Sequence, residues 1–283
     1  MGYVPHQGHC PVEPSQDMPN PTETKSRASS EDAARNVPAF ESSWRSRFEE
    51  FAEVSDDDAG IAGWSRSGLD ARVRRFAGLW KPSHSGGSWL DAGCGAGTYS
   101  RILSQHGLAV VGADYSLPTL LKARSRSTEP IGFAVADVRR LPFRAGSFDG
   151  ALCFGVTQAL GQSDEAVQAL AAAVKSGGEV WIDALNGWCV ANVITVARRR
   201  LRGQPMHLRY ESPATIKRLM RSHGLERVRL HWLPILPRRL QRFQPWIETP
   251  LARWIFRTVP LVGLLASHSF IVSGERSGPA RRA

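Results

Sequence analysis

Cysteine is scarce in this chain of 283 residues: four occur, Cys10, Cys94, Cys153 and Cys189, far apart and with no Cys-x-x-Cys pair. That spacing argues against a structural zinc site. Three of the four fall in strand, glycine-loop or helix contexts, where buried free thiols are common, and a reducing, cytoplasmic compartment follows. A bilayer span is missing too: the apolar run from Thr258 to Ser267 is short of the about 20 residues that crossing requires. No charged segment followed by an apolar one opens the sequence, so no secretory signal is expected. Acidic residues are outnumbered, 26 against 36 Lys and Arg, for a net charge of +10. The deficit is local: residues 198–283 hold 18 basic and 4 acidic side chains, the remainder 18 and 22. Cationic character therefore belongs to the C-terminal third. With 42% hydrophobic residues the chain can bury one substantial core and a small appended region.

Residues 1–38 are poor in apolar side chains and hold Pro5, Pro11, Pro14, Pro19, Pro21 and Pro38. Such a segment buries too little to order itself, and His6, His9 and Cys10 within it are not read as metal ligands. No metal is expected anywhere. Phe40, Trp44, Phe48 and Phe51 then recur at helical spacing and form one aromatic stripe, suited either to core packing or to covering a ligand mouth. Residues 39–84 are read as one helical lid, in which Trp64, Arg66 and Arg72 precede the first strand.

The densest signal is Leu90-Asp91-Ala92-Gly93-Cys94-Gly95-Ala96-Gly97, an apolar strand end running into alternate glycines and a helix. Glycines there let the backbone turn and approach a ligand, and the helix offers free N–H groups. The dinucleotide fingerprint Gly-x-Gly-x-x-Gly fails by one place, since Thr98 stands sixth from Gly93. Asp91 beside the loop opposes a pyrophosphate and favours a cation. Two further apolar runs end in Asp114 and Asp137, so three carboxylates recur at intervals of 23 residues. Matched βα units of this kind build a parallel sheet with right-handed crossovers, and ligands bind at its carboxyl edge. After a fourth strand, Ser163 reads as an N-cap and Gly177-Gly178 as the end of that helix. Strands are expected at about 179–185, 225–232 and 269–273, with Ser212-Pro213 opening a helix between the first two.

These residues resemble the class I S-adenosylmethionine-dependent methyltransferases of the small-molecule group. The likeness rests on the glycine loop, Val111–Ser116, Ala136–Phe143, Ser147–Val156 and Gly177–Asp183, in that order, across roughly 88–185. It implies a Rossmann-like, doubly wound α/β fold with seven strands, the last antiparallel, over residues 85–275, with helical insertions at about 187–223 and 234–266 and a tail at 276–283. It also implies S-adenosylmethionine as cofactor. Gly93, Cys94, Gly95 and Gly97 would line the methionine and ribose portions, with Asp91 near the amino group. Asp114 would accept from both ribose hydroxyls, Asp137 from the adenine amino group, and the Val138 N–H would meet a ring nitrogen. Tyr115 and Leu141 would pack on adenine, and Phe154 completes the set.

The acceptor side is less defined. Val156-Thr157-Gln158-Ala159 occupies the turn after the fourth strand, and no Asn-Pro-Pro-aromatic signature stands there, which disfavours amino methylation of adenine or glutamine. Gln158, His207 and Tyr210 are the catalytic candidates, a histidine near neutral pKa being able to take a hydroxyl proton. Residues 237–266 interleave Trp246, Trp254, Leu251 and Phe256 with Arg253 and Arg257. Three readings compete: a cap whose apolar face forms the substrate pocket, peripheral contact with a membrane, and RNA binding without any recognised module. The expected function is methyl transfer to an oxygen of a hydrophobic small molecule in specialised-metabolite, quinone or lipid and glycan biosynthesis, with RNA methylation, a cofactor-binding scaffold or a non-methylating enzyme on the same fold as alternatives.

Overall fold

The strands form because short, β-branched or apolar runs alternate their side chains across two covered faces. In β1 (Ser88–Ala92), Trp89 joins an aromatic cluster with Phe76, Trp80 and Tyr99, while Leu90 points the other way, toward Leu170, Ile182 and Phe270. In β5 (Val174–Leu185), Trp181 and its neighbours Val180 and Ile182 divide between the same two clusters. The computed structural model describes residues 39–81, 86–236 and 238–278. Residues 1–38, with His6, His9 and Cys10, lie outside them, as do 279–283 of the expected tail. From Phe40 onward the described residues belong to one compact unit.

The sheet has seven strands, with β2 (Ala109–Asp114), β3 (Gly132–Val135), β4 (Phe148–Cys153), β6 (Leu225–Leu233) and β7 (Ser269–Arg276) completing the order β3-β2-β1-β4-β5-β7-β6. Strand β7 runs antiparallel to both its neighbours; the other pairings are parallel. The expected doubly wound fold is present. Its order reverses at β1, which has β2 on one side and β4 on the other, and that switch point is where such sheets bind ligands.

Register explains the 23-residue spacing. Asp91 pairs with Gly112 and Asp114 with Val135, an offset of 21 residues. Each successive carboxylate therefore stands two residues, or roughly 7 Å, higher along the strands than the one before. Asp91 is thus deepest, Asp114 at the rim, and Asp137 beyond it.

The helix after β4, α6 (Asp164–Ala173), closes earlier than expected. The carbonyls of Ala172 and Ala173 accept from Gly146 and Ser147 N–H at 2.9 Å each, so the chain enters β5 at Val174 and Gly177-Gly178 lies inside that strand. Ser163 precedes this helix, but its hydroxyl donates to Glu211 instead of capping.

The region expected to form a lid comprises α1 (39–54), α2 (Asp58–Ile61) and α3 (Arg66–Leu79), with Asp57 and Ser65 capping the last two through Gly60 and Gly68 N–H. Arg72, placed by sequence among the lid residues, is instead core: it is 5% exposed and paired with Asp183 of β5.

Toward the C-terminus lie α7 (Val190–Leu201), α8 (Pro213–Ser222), a 3-10 stretch (Arg238–Phe243), α9 (Gln244–Ile247), α10 (Pro250–Thr258) and α11 (Pro260–Ala266). The described residues of 238–266 do not line the main cavity. The pocket-cap reading gains no support at that cavity: Ile247 and Phe256 line a separate, smaller cavity with Trp232 and Leu233 of β6, at the sheet edge far from the switch point.

Candidate functional site

Between β1 and α4 (Thr98–Gln105) the backbone makes two reversals, and Gly93, Gly95 and Gly97 take left-handed φ values of 75°, 51° and 78°. The N–H groups of Gly93 and Cys94 both donate to the Ala113 carbonyl, at 2.7 and 3.0 Å, pinning the loop to β2. A Cβ on Gly93 would stand 2.1 Å from Val156 Cγ2, whereas one on Gly95 would meet nothing within 4 Å. Gly93 is therefore required by packing, and Gly95 faces open space. That space is a cavity of about 1020 Å³, counted out to its mouth.

Four sets of residues wall the cavity. The glycine loop supplies Gly93 to Ala96 with Thr98 and Tyr99; the ends of β2 and β3 supply Asp114, Tyr115, Asp137 and Val138; the turn after β4 supplies Phe154 to Val156. The lid supplies Glu41, Trp44, Arg45, Phe48 and Trp64. The aromatic stripe lines the cavity and packs at the same time: Trp44 is buried, and Phe48 makes an edge contact with Tyr115, centroids 6.3 Å apart. Trp64 lies so close to Gly155 that a Cβ there would stand 2.4 Å from its ring. Lid and loop are joined through Asp58, which pairs with Arg101 and Arg126 and accepts from Thr98 Oγ1 at 2.6 Å.

The three carboxylates differ in environment. Asp114 accepts from Gly95 N–H on one oxygen and Ser116 N–H on the other, at 3.0 Å each. Burial raises its pKa, and those backbone donors oppose the rise. Each oxygen keeps a further lone pair for a ligand. Asp137 is more exposed and is engaged by Arg139 at 2.7 Å and by Arg45 of α1 at 3.0 Å. Its pKa is lowered, first by the Arg139 hydrogen bond. Asp91 is 1% exposed and does not line the cavity; it lies beneath the loop and accepts from Ser100 Oγ at 2.6 Å.

Burial pushes the Asp91 pKa up to about 7, from 3.8. Between these values the folded chain holds a proton that the unfolded chain has released, so stability falls as pH rises and levels off above about 7. In ligand-free protein this carboxyl should cost on the order of 4 kcal/mol across that window. Urea midpoints of wild type and Asp91→Asn should converge near pH 4 and separate toward pH 7.5, the variant being the more stable there.

Other expected site residues fall elsewhere. Leu141 packs against the hydrophobic core and not on the cavity wall. Gln158 is buried in the 3-10 turn Thr157–Ala159, where its carbonyl accepts from Arg209 N–H. His207 and Tyr210 do not line the cavity either; burial lowers the His207 pKa and raises that of Tyr210. Sequence reasoning missed Glu41, whose carboxylate accepts from Gly161 N–H at 2.8 Å and from Arg139 at 2.7 Å. It also missed Tyr99 as a wall residue. Only the position of Glu41 on the striped helix hinted at its place.

Comparison with known proteins accounts for part of the chain. Residues 90–182 match the family described as Methyltransferase domain. That stretch is a methyltransferase domain. S-adenosylmethionine is the cofactor that the resemblance implies. The chain is 28% identical over 153 residues to the ubiquinone biosynthesis O-methyltransferase of Chromobacterium violaceum, covering 50% of this chain and 66% of that one. It is 34% identical over 114 residues to the probable tRNA methyltransferase 9B of Homo sapiens, covering 39% and 23%. The chain thus spans less than two thirds of the length of these relatives. Magnesium protoporphyrin IX methyltransferase from Synechocystis, solved with bound SAH, shares the fold at a TM-score of 0.55 and 16% identity, over 87% of this chain and 100% of that one.

The residues of the methyltransferase domain fit the cofactor. The Tyr99 hydroxyl and the Trp44 indole N–H are buried at the cavity without hydrogen-bond partners, and such groups call for a polar ligand. Aromatic walls from Trp44, Trp64, Tyr99 and Phe154 suit a cation. Burial keeps the Cys94 thiol protonated, so it serves as packing and not as a nucleophile. Among the described residues no group of three or more His, Cys, Asp or Glu could hold a metal ion.

Proposed function

We propose that this protein transfers a methyl group from S-adenosylmethionine to an oxygen of a hydrophobic small molecule. The single observation that carries the proposal is the cavity itself. It places Asp114 and the open face of Gly95 at one end and the aromatic lid residues Trp44, Phe48 and Trp64 over it. Asp114 would hold the ribose, Tyr115 and Val138 would flank the adenine, and Asp137 would stand near the adenine amino group. Asp91 supports the loop from below through Ser100. Bound there, S-adenosylmethionine would supply a methyl group on a sulfonium sulfur; an acceptor hydroxyl would take the methyl and lose its proton to bulk solvent, leaving the sulfur as a thioether. The chain's own part is to hold both reactants in line and keep water out, which alone is worth several kcal/mol. Similarity to an enzyme named for ubiquinone biosynthesis supports an apolar acceptor and oxygen methylation.

A second reading, RNA methylation, draws on the basic C-terminal third and on the tRNA methyltransferase relative. Incubation with methyl-labelled cofactor and either an apolar metabolite extract or total RNA separates the two. Label in the organic phase supports the small-molecule reading; label only in RNA overturns it. Because His207 lies off the cavity wall, His207→Ala should keep most of its turnover. Loss of a true general base would cost about 10²–10⁴-fold, and a loss of that size would place His207 in the mechanism.

A further inference from the structure

Helices α7, α10 and α11 carry large apolar side chains on the outside, whereas α8 buries Ile216 and Met220. In α7 the residues at helical spacing, Val190, Val193, Ile194, Ala197 and Leu201, are all exposed, Leu201 to 88%, and Asn192 is the helix's buried residue. An ordinary surface helix turns such a stripe to the core. Helix α10 has no buried residue; Leu251 and Trp254 on it are exposed, as are Leu261 and Leu265 of α11. Nearby Trp246 is 75% exposed. Thirteen of the seventeen exposed large hydrophobic residues lie between 188 and 265, so the apolar surface is concentrated in these elements.

The two helical groups are fastened together. Asn186, just before α7, donates from its amide to the carbonyls of Leu264 and Ser267, and Asn192 donates to His268, at 2.7 to 3.0 Å. Between 188 and 268 there are 15 Lys and Arg against 3 Asp and Glu. Arg198, Arg200 and Arg202 crowd the end of α7, and Arg253 and Arg257 flank Trp254. A second copy of this chain on the same surface would set positive charge against positive charge. An anionic bilayer meets both features, since apolar side chains enter the acyl boundary while arginines meet lipid phosphates and carboxylates.

We propose that α7, α10 and α11 form a docking surface for an anionic membrane, lying in the interface without crossing it. None of the described helices is long and apolar enough to cross. Flotation of the full chain with phosphatidylcholine vesicles, with and without about 30% phosphatidylserine, tests this, and the anionic vesicles should retain at least about tenfold more protein. Combined Val193→Ser, Ile194→Ser, Leu251→Ser and Trp254→Ser should remove that binding while S-adenosylmethionine affinity stays unchanged. In a second variant, Arg198→Glu, Arg200→Glu and Arg257→Glu, the preference for anionic vesicles should disappear. No vesicle binding by the wild type, or equal binding to both vesicle types, overturns the proposal. So does self-association in sedimentation that the serine variant abolishes while vesicles capture nothing, since the surface would then join copies of the chain.

Discussion

Asp114→Ala weakens S-adenosylmethionine binding by about two orders of magnitude or more, because two hydrogen bonds to a charged acceptor are lost, each worth roughly 1.5–3 kcal/mol. The carboxylate also holds the Gly95 and Ser116 N–H groups. Its removal leaves both donors unsatisfied and loosens the loop that Gly93 and Cys94 anchor to Ala113. Asp114→Asn keeps the size and one acceptor oxygen, so it should fall between the two proteins. Titration calorimetry with all three measures the series. Unchanged affinity in the alanine variant would remove Asp114 from the cofactor site.

Arg72→Leu should be the most destabilising single change in the core. Arg72 and Asp183 are 5% and 4% exposed, and no water can replace a lost partner cheaply. The guanidinium also donates to Gly68 O and Ser269 Oγ and lies 4.3 Å from the Trp64 ring centroid. Asp183 accepts from Gly155 N–H at 2.6 Å, which fixes the turn after β4. Removing one member strands a buried charge and costs about 3–5 kcal/mol, or roughly a 10 °C fall in Tm for a chain of this size. The pair Arg72→Leu with Asp183→Leu should recover part of that loss, since no uncompensated charge remains. Thermal unfolding followed by circular dichroism gives the comparison. A fall of less than about 1 kcal/mol for the single variant would mean the pair contributes little beyond packing.

Sequence spacing carried the sheet and one wall of the cavity. Asp91, Asp114 and Asp137 mark successive strand ends, and a register offset of 21 against a spacing of 23 turns that repeat into a staircase. The glycines were equally visible, because only glycine tolerates the left-handed turns at 93, 95 and 97. What depends on distant packing was not visible. Glu41 reaches Gly161 and Arg139 across more than 90 residues of chain, and nothing near position 41 encodes those partners. Arg72 looks like a surface cation until Asp183 is placed beneath it. His207 and Tyr210 were chosen for their chemistry, which does not fix where a segment lies. The helical character of α7 was legible, but only tertiary structure shows that its apolar residues face outward.

On the proposed function, the cavity at the carboxyl ends of β1 to β4 holds the methyl donor. A crystal structure of the full chain with S-adenosylhomocysteine would show this. Both ribose hydroxyls should lie within hydrogen-bond distance of the Asp114 carboxylate, with adenine beside Tyr115 and Val138 and the thioether sulfur under the aromatic side chains of α1. A ligand bound outside that cavity, or with its ribose turned away from Asp114, would contradict it.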